Sequence, residues 1–129
     1  MRKLIRNIRG VLFFTGLTVN TIVWFLPILV LAVLKLLLPI PVLRRAITRW
    51  LMAIGENWIS INTFILRNAG NVEWESRGLE NLRRDGWYLV VANHQTWVDI
   101  VILQAIFNRR VPFLKFFIKQ ELIWFPLLG

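Results

Sequence analysis

At 129 residues and 15.2 kDa, the chain has room for one small domain. Hydrophobic residues make up 57% of it, charged residues only 18%, and the mean hydropathy is +0.57. That excludes a disordered chain and argues against an ordinary soluble domain, because part of this apolar surface must face something other than water. With no cysteine and the single histidine His94, a disulfide framework, a thiolate zinc site, a cysteine nucleophile and a multi-histidine metal site are all excluded.

The formal charge of +9 is unevenly placed. Residues 1–67 hold nine cations (Arg2, Lys3, Arg6, Arg9, Lys35, Arg44, Arg45, Arg49 and Arg67) against one anion, Glu56. Residues 68–129 are nearly balanced, with seven cations and six anions. Nucleic-acid binders set Lys and Arg on a folded surface that tracks phosphates. Here the cations flank an apolar run, so anionic lipid headgroups are the expected partner and nucleic acid is not.

In chain order, the first element is that run. Gly10 to Leu34 is 25 residues without a charge, enough for a helix to cross a bilayer core of about 20 apolar residues. Apolar character continues past Lys35, so residues 11–43 are too long for one straight crossing. Pro27 can kink the helix, and Pro39 and Pro41 are expected to stop it. Cations on both flanks leave two topologies open: a spanning helix with a cytoplasmic N-terminus, or a re-entrant or shallow helical pair in one leaflet.

Residues 42–66 read as an amphipathic helix. Arg44, Arg45, Thr48, Arg49, Glu56, Asn57, Ser60 and Thr63 recur on one side. Leu43, Ala46, Ile47, Trp50, Leu51, Ile54, Trp58, Ile61 and Ile65 recur on the other, suited to a membrane interface or to packing on the following domain.

A turn at 68–71 then separates a membrane anchor, residues 1–67, from a second unit, residues 68–129. Val72–Arg77 alternates as a half-buried strand, Leu79–Arg84 suits a short helical turn, and Asp85-Gly86 ends it. Trp87–Ala92 reads as a strand covered on both faces. Residues 97–107 form an apolar helix, with Arg109 and Arg110 suited to its C-terminal dipole. Val111–Ile118 is an expected strand, and Lys119–Trp124 a short helix. The predicted fold class is therefore α/β: a membrane helix or helical hairpin followed by an α/β unit.

One block carries chemistry: Asn93-His94-Gln95-Thr96-Trp97-Val98-Asp99. Residues five apart cannot share a face of one helix, so His94 and Asp99 meet only across a strand-to-helix junction. There Asp99 would orient the imidazole and stabilise its protonated form, while the other ring nitrogen takes a proton from a substrate hydroxyl. A second reading makes Thr96 the N-cap and Asp99 the third helical residue of a variant capping box. The two roles do not exclude each other.

This block resembles the Asn-His-x4-Asp motif of the glycerolipid acyltransferases, the family of bacterial 1-acylglycerol-3-phosphate acyltransferase. Residues 78–100, GLENLRRDGWYLVVANHQTWVDI, are similar to the family's strand-turn-helix around the motif. Residues 115–129, KFFIKQELIWFPLLG, are similar to its next segment with a Pro-x-x-Gly ending, and the anchor matches in placement. The resemblance implies a membrane-bound enzyme, at a bacterial inner membrane. It would move an acyl chain from an acyl-CoA or acyl-carrier-protein thioester to the hydroxyl of a lysophospholipid such as 1-acylglycerol-3-phosphate. It further implies His94 as base and Asp99 as its partner, with no acyl-enzyme nucleophile, no metal and no cofactor beyond the acyl donor. The family's later Arg-containing and Pro-Glu-Gly blocks, which hold the acceptor phosphate, have no counterpart here. The α/β acyltransferase unit is therefore expected to be incomplete, with a truncated, non-catalytic membrane-inserted protein as the alternative.

Overall fold

The computed structural model describes residues 2–70, 72–93 and 95–117. Three helices organise them: α1 (Arg2–Leu37), α2 (Pro41–Asn68) and α3 (Trp97–Phe107). An apolar chain satisfies its backbone most readily as a helix, because every N–H then finds a carbonyl within the same segment. α1 runs continuously through Pro27 for 36 residues, about 54 Å at 1.5 Å per residue. It ends before Pro39, and Pro41 opens α2 at a position where the missing N–H costs nothing.

The two long helices fold back on each other about the link at 38–40. Partners that rise along α1 fall along α2, which makes an antiparallel hairpin. Gly16 faces Ile65, and a side chain there would come within 3.4 Å of it. Asn20 donates from Nδ2 to Asn62 Oδ1 at 2.8 Å and to the Trp58 carbonyl at 3.1 Å. Trp58 Nε1 donates to Thr21 Oγ1 at 3.3 Å. Asn20 and Asn62 are both buried, so the hairpin holds a polar rung inside an otherwise apolar seam. Burying an amide is costly unless it is paired, so each holds the other to one register.

The predicted amphipathic helix is present, but its buried face is rotated from the expected one. Ile47, Gly55, Glu56, Ile59, Asn62 and Leu66 are the buried residues of α2. Trp50, assigned to the apolar side, is 66% exposed. Glu56, assigned to the polar side, is covered because α3 and the segments around it dock there. Asn108, at the end of α3, donates to the Glu56 carbonyl at 3.1 Å and to Ser60 Oγ at 3.0 Å. Phe113 lies against Gly55, where an added Cβ would come within 2.7 Å of the ring.

The α/β expectation is overturned: among the described residues there is no strand and no sheet. Residues 72–75 keep period-two burial, with Val72 and Trp74 more covered than Glu73 and Glu75, yet they form no ladder among the described residues. Trp74 packs instead under the Arg67 guanidinium, 4.5 Å from the ring centroid. Residues 87–92 are not covered on both faces: Trp87, Leu89 and Val91 are 98%, 80% and 85% exposed. Residues 111–117 form no strand: the chain bends at 111–112, buries Val111 and sets Phe113 against Gly55. The physical reason is that a helix closes its hydrogen bonds locally, whereas a strand needs a neighbour brought from elsewhere in the chain. Residue 118 and the predicted helix at 119–124 lie outside the described residues.

The turns fared differently. Leu82 N–H donates to the Leu79 carbonyl at 3.2 Å, and Gly86 N–H to the Arg83 carbonyl at 3.1 Å, so both predicted turns form. Tyr88 folds back over the second, its hydroxyl accepting from Arg83 N–H at 2.7 Å.

Candidate active site

The Asn93–Asp99 block sits where an irregular exposed segment enters α3. Thr96 is the N-cap, with extended backbone at φ −144° and ψ 159°. Asp99 is the third helical residue, and its Oδ2 accepts from Gln95 N–H at 2.8 Å and Thr96 N–H at 2.7 Å. This is the acidic half of a capping box, in which the carboxylate neutralises backbone donors that α3 leaves orphaned. Negative charge in the first helical turn also complements the helix dipole. The capping reading of Asp99 is therefore realised.

His94 lies outside the described residues. Its neighbours Asn93, Gln95 and Thr96 are exposed. Among the described residues, no group of three or more His, Asp or Glu side chains is placed to hold a metal ion.

A second polar cluster lies about the far end of α3. Glu56, 8% exposed, accepts from Arg84 Nη2 at 2.5 Å, with Arg109 Nε 3.7 Å from its other oxygen. Arg109 also donates to Asn57 Oδ1 at 2.6 Å. It adopts φ 61°, a left-handed backbone uncommon for a non-glycine residue, which turns the chain out of the helix. Arg109 thus works as a tether to α2 as well as a cation beyond the helix end. Sequence reasoning passed over this cluster and left Glu56 on a solvated face. The available signal was its isolation, the one acid among nine cations in residues 1–67.

Comparison with known proteins yields one finding. No curated protein and no solved structure matches the chain. Residues 73–129, which include the Asn93–Asp99 block and the whole of α3, match the Acyltransferase family model.

Proposed function

We propose that the protein is a membrane-bound acyltransferase that acylates the free hydroxyl of a lysophospholipid such as 1-acylglycerol-3-phosphate, using an acyl-CoA or acyl-carrier-protein thioester. The observation that carries this reading is the family match over residues 73–129, with NHQTWVD inside it. His94 is the general base. One ring nitrogen removes the proton of the acceptor hydroxyl as its oxygen attacks the thioester carbonyl. The tetrahedral intermediate collapses, the new ester forms, the C–S bond breaks, and the thiol leaves carrying a proton returned by the imidazolium. Asp99 holds the imidazole in the productive tautomer and stabilises its cationic form. Its capping role gives that carboxylate a fixed place at the start of α3.

Membrane attachment is supported by α1, which is long and apolar enough to cross a bilayer and is 6% buried over its most apolar window. α2 runs beside α1 and brings Arg44, Arg45, Arg49 and Glu56 with it. Placing such a pair across a hydrocarbon core would submerge those charges. Of the two topologies, we favour a hairpin seated in one leaflet, with the outer side of α1 in lipid and the Glu56 side of α2 facing the catalytic unit.

The test is acyl transfer from acyl-CoA to lysophosphatidate by the membrane-reconstituted protein and its H94A variant. Loss of turnover in H94A is expected, and retained activity overturns the assignment of the base. An inactive wild type would instead favour the non-catalytic membrane protein. Release of the chain by an alkaline carbonate wash would overturn integral attachment.

A further inference from the structure

We infer that Arg44, Arg45 and Arg49, on the first turns of α2, form a binding site for the phosphate headgroup of an anionic glycerophospholipid. The inference rests on the membrane reading above but not on the chemistry of His94. Arg45 and Arg49, four apart, lie on one stripe of α2, and Arg44 and Thr48, also four apart, lie on the adjoining stripe; the four residues line one shallow concavity. All three arginines are exposed. The Thr48 hydroxyl donates to the Arg44 carbonyl at 2.8 Å, so its donor is spent within the helix.

Among the described residues, no acid forms an ion pair with these arginines. Glu56 is the one acid in residues 1–67, and it is taken by Arg84 and Arg109. The first turn of α2 carries no acidic residue, and Arg44 and Arg45 stand just past it, near the positive end of the helix dipole, with Arg49 one turn further on. That arrangement is repulsive by itself and is relieved by an external anion. Guanidinium forks match phosphate oxygens in geometry as well as in charge.

The surroundings identify the anion as a lipid. Leu36 and Leu37 at the end of α1, Ile40 in the link, and Val42 and Trp50 on α2 are 81%, 68%, 53%, 74% and 66% exposed. A basic cluster ringed by exposed aliphatic side chains and a tryptophan suits the boundary between headgroups and acyl chains. A soluble phosphate would have no use for that rim.

The experiment titrates the detergent-purified full chain with dioctanoyl phosphatidylglycerol, dioctanoyl phosphatidylcholine and glycerol 3-phosphate, read by thermophoresis. Phosphatidylglycerol is expected to bind well above the other two. The R44Q/R45Q/R49Q variant is expected to bind it on the order of a hundredfold more weakly, about fivefold per arginine. The R44K/R45K/R49K variant should keep most of the affinity, with unchanged circular dichroism in both variants. Equal binding of phosphatidylcholine, equal binding of glycerol 3-phosphate, or a triple Gln variant that binds like wild type each overturns the site. H94A should leave all of these affinities unchanged, so failure of the acyl-transfer reading and failure of this one are separately visible.

Discussion

The two halves of the molecule use the same kind of residues to different ends. Residues 2–68 are two long helices locked by a buried Asn20–Asn62 bond and by Trp58 on Thr21. Residues 72–117 are equally rich in Trp, Leu and Val, yet hold one helix and a length of chain whose large side chains stand in solvent. The difference lies in the reach of the hydrogen bonds. A helix closes its own and needs a neighbour only to cover its apolar stripe, whereas a β-rich segment stays open until partner strands reach it. The outer face of the hairpin is apolar, and α1 is long and apolar enough to cross a membrane. The second half has its anchorage chiefly at one place, where Glu56, Ser60 and Gly55 of α2 receive Arg84, Arg109, Asn108 and Phe113.

The sharpest way to separate the halves is by function. H94A should lower acyl transfer by roughly 10²–10⁴-fold, with the melting transition of the hairpin unmoved. D99N keeps an acceptor oxygen for the Gln95 and Thr96 N–H groups but loses the charge that steadies an imidazolium. It should lose most of the activity while α3 survives by circular dichroism. An effect of H94A on helix stability instead would break the division.

Within the hairpin, N62A removes one of the two acceptors of the buried Asn20 amide and should cost about 1 kcal/mol in detergent unfolding. The N20A/N62A double variant should cost less than the two single losses added together, because neither partner is then left orphaned. Strict additivity would mean that the pair is not a working contact. At the junction of the halves, E56Q should cost about 1 kcal/mol, since Arg84 and Arg109 retain much of their hydration. Its clearest reading is faster amide exchange in residues 97–107 with none in residues 11–34. Uniform exchange changes would mean the halves unfold together. The smallest effect belongs to E75A, which removes a pair with Arg77 whose side chains are 84% and 74% exposed. It should change stability by no more than about 0.5 kcal/mol.

Much of the architecture was readable without coordinates where the interactions are local. Prolines 39 and 41 bracket the link between the long helices, and residues 97–107 are helical as their pattern predicts. Thr96 and Asp99 announce a capping box through their spacing alone, and the box forms. The α/β expectation failed because alternation in 72–77 and β-branched density in 87–92 describe what a strand would look like without supplying its partners. The amphipathic faces of α2 were drawn too simply for a related reason. Trp50 is apolar yet exposed, and Glu56 is charged yet buried.

By itself, then, the sequence determined the two charge characters of the chain, the positions of the helices and their ends, and the block from His94 to Asp99. Each follows from residues within a few turns of one another. Tertiary structure alone decided that α1 and α2 pair through Asn20 and Asn62, and that Glu56 is withdrawn to receive Arg84 and Arg109. It also left Arg44, Arg45 and Arg49 without an ion pair among the described residues. The cause is that a buried polar group must be matched by a partner, and partners 28 to 53 residues away in the chain are set by how helices pack rather than by what either helix contains.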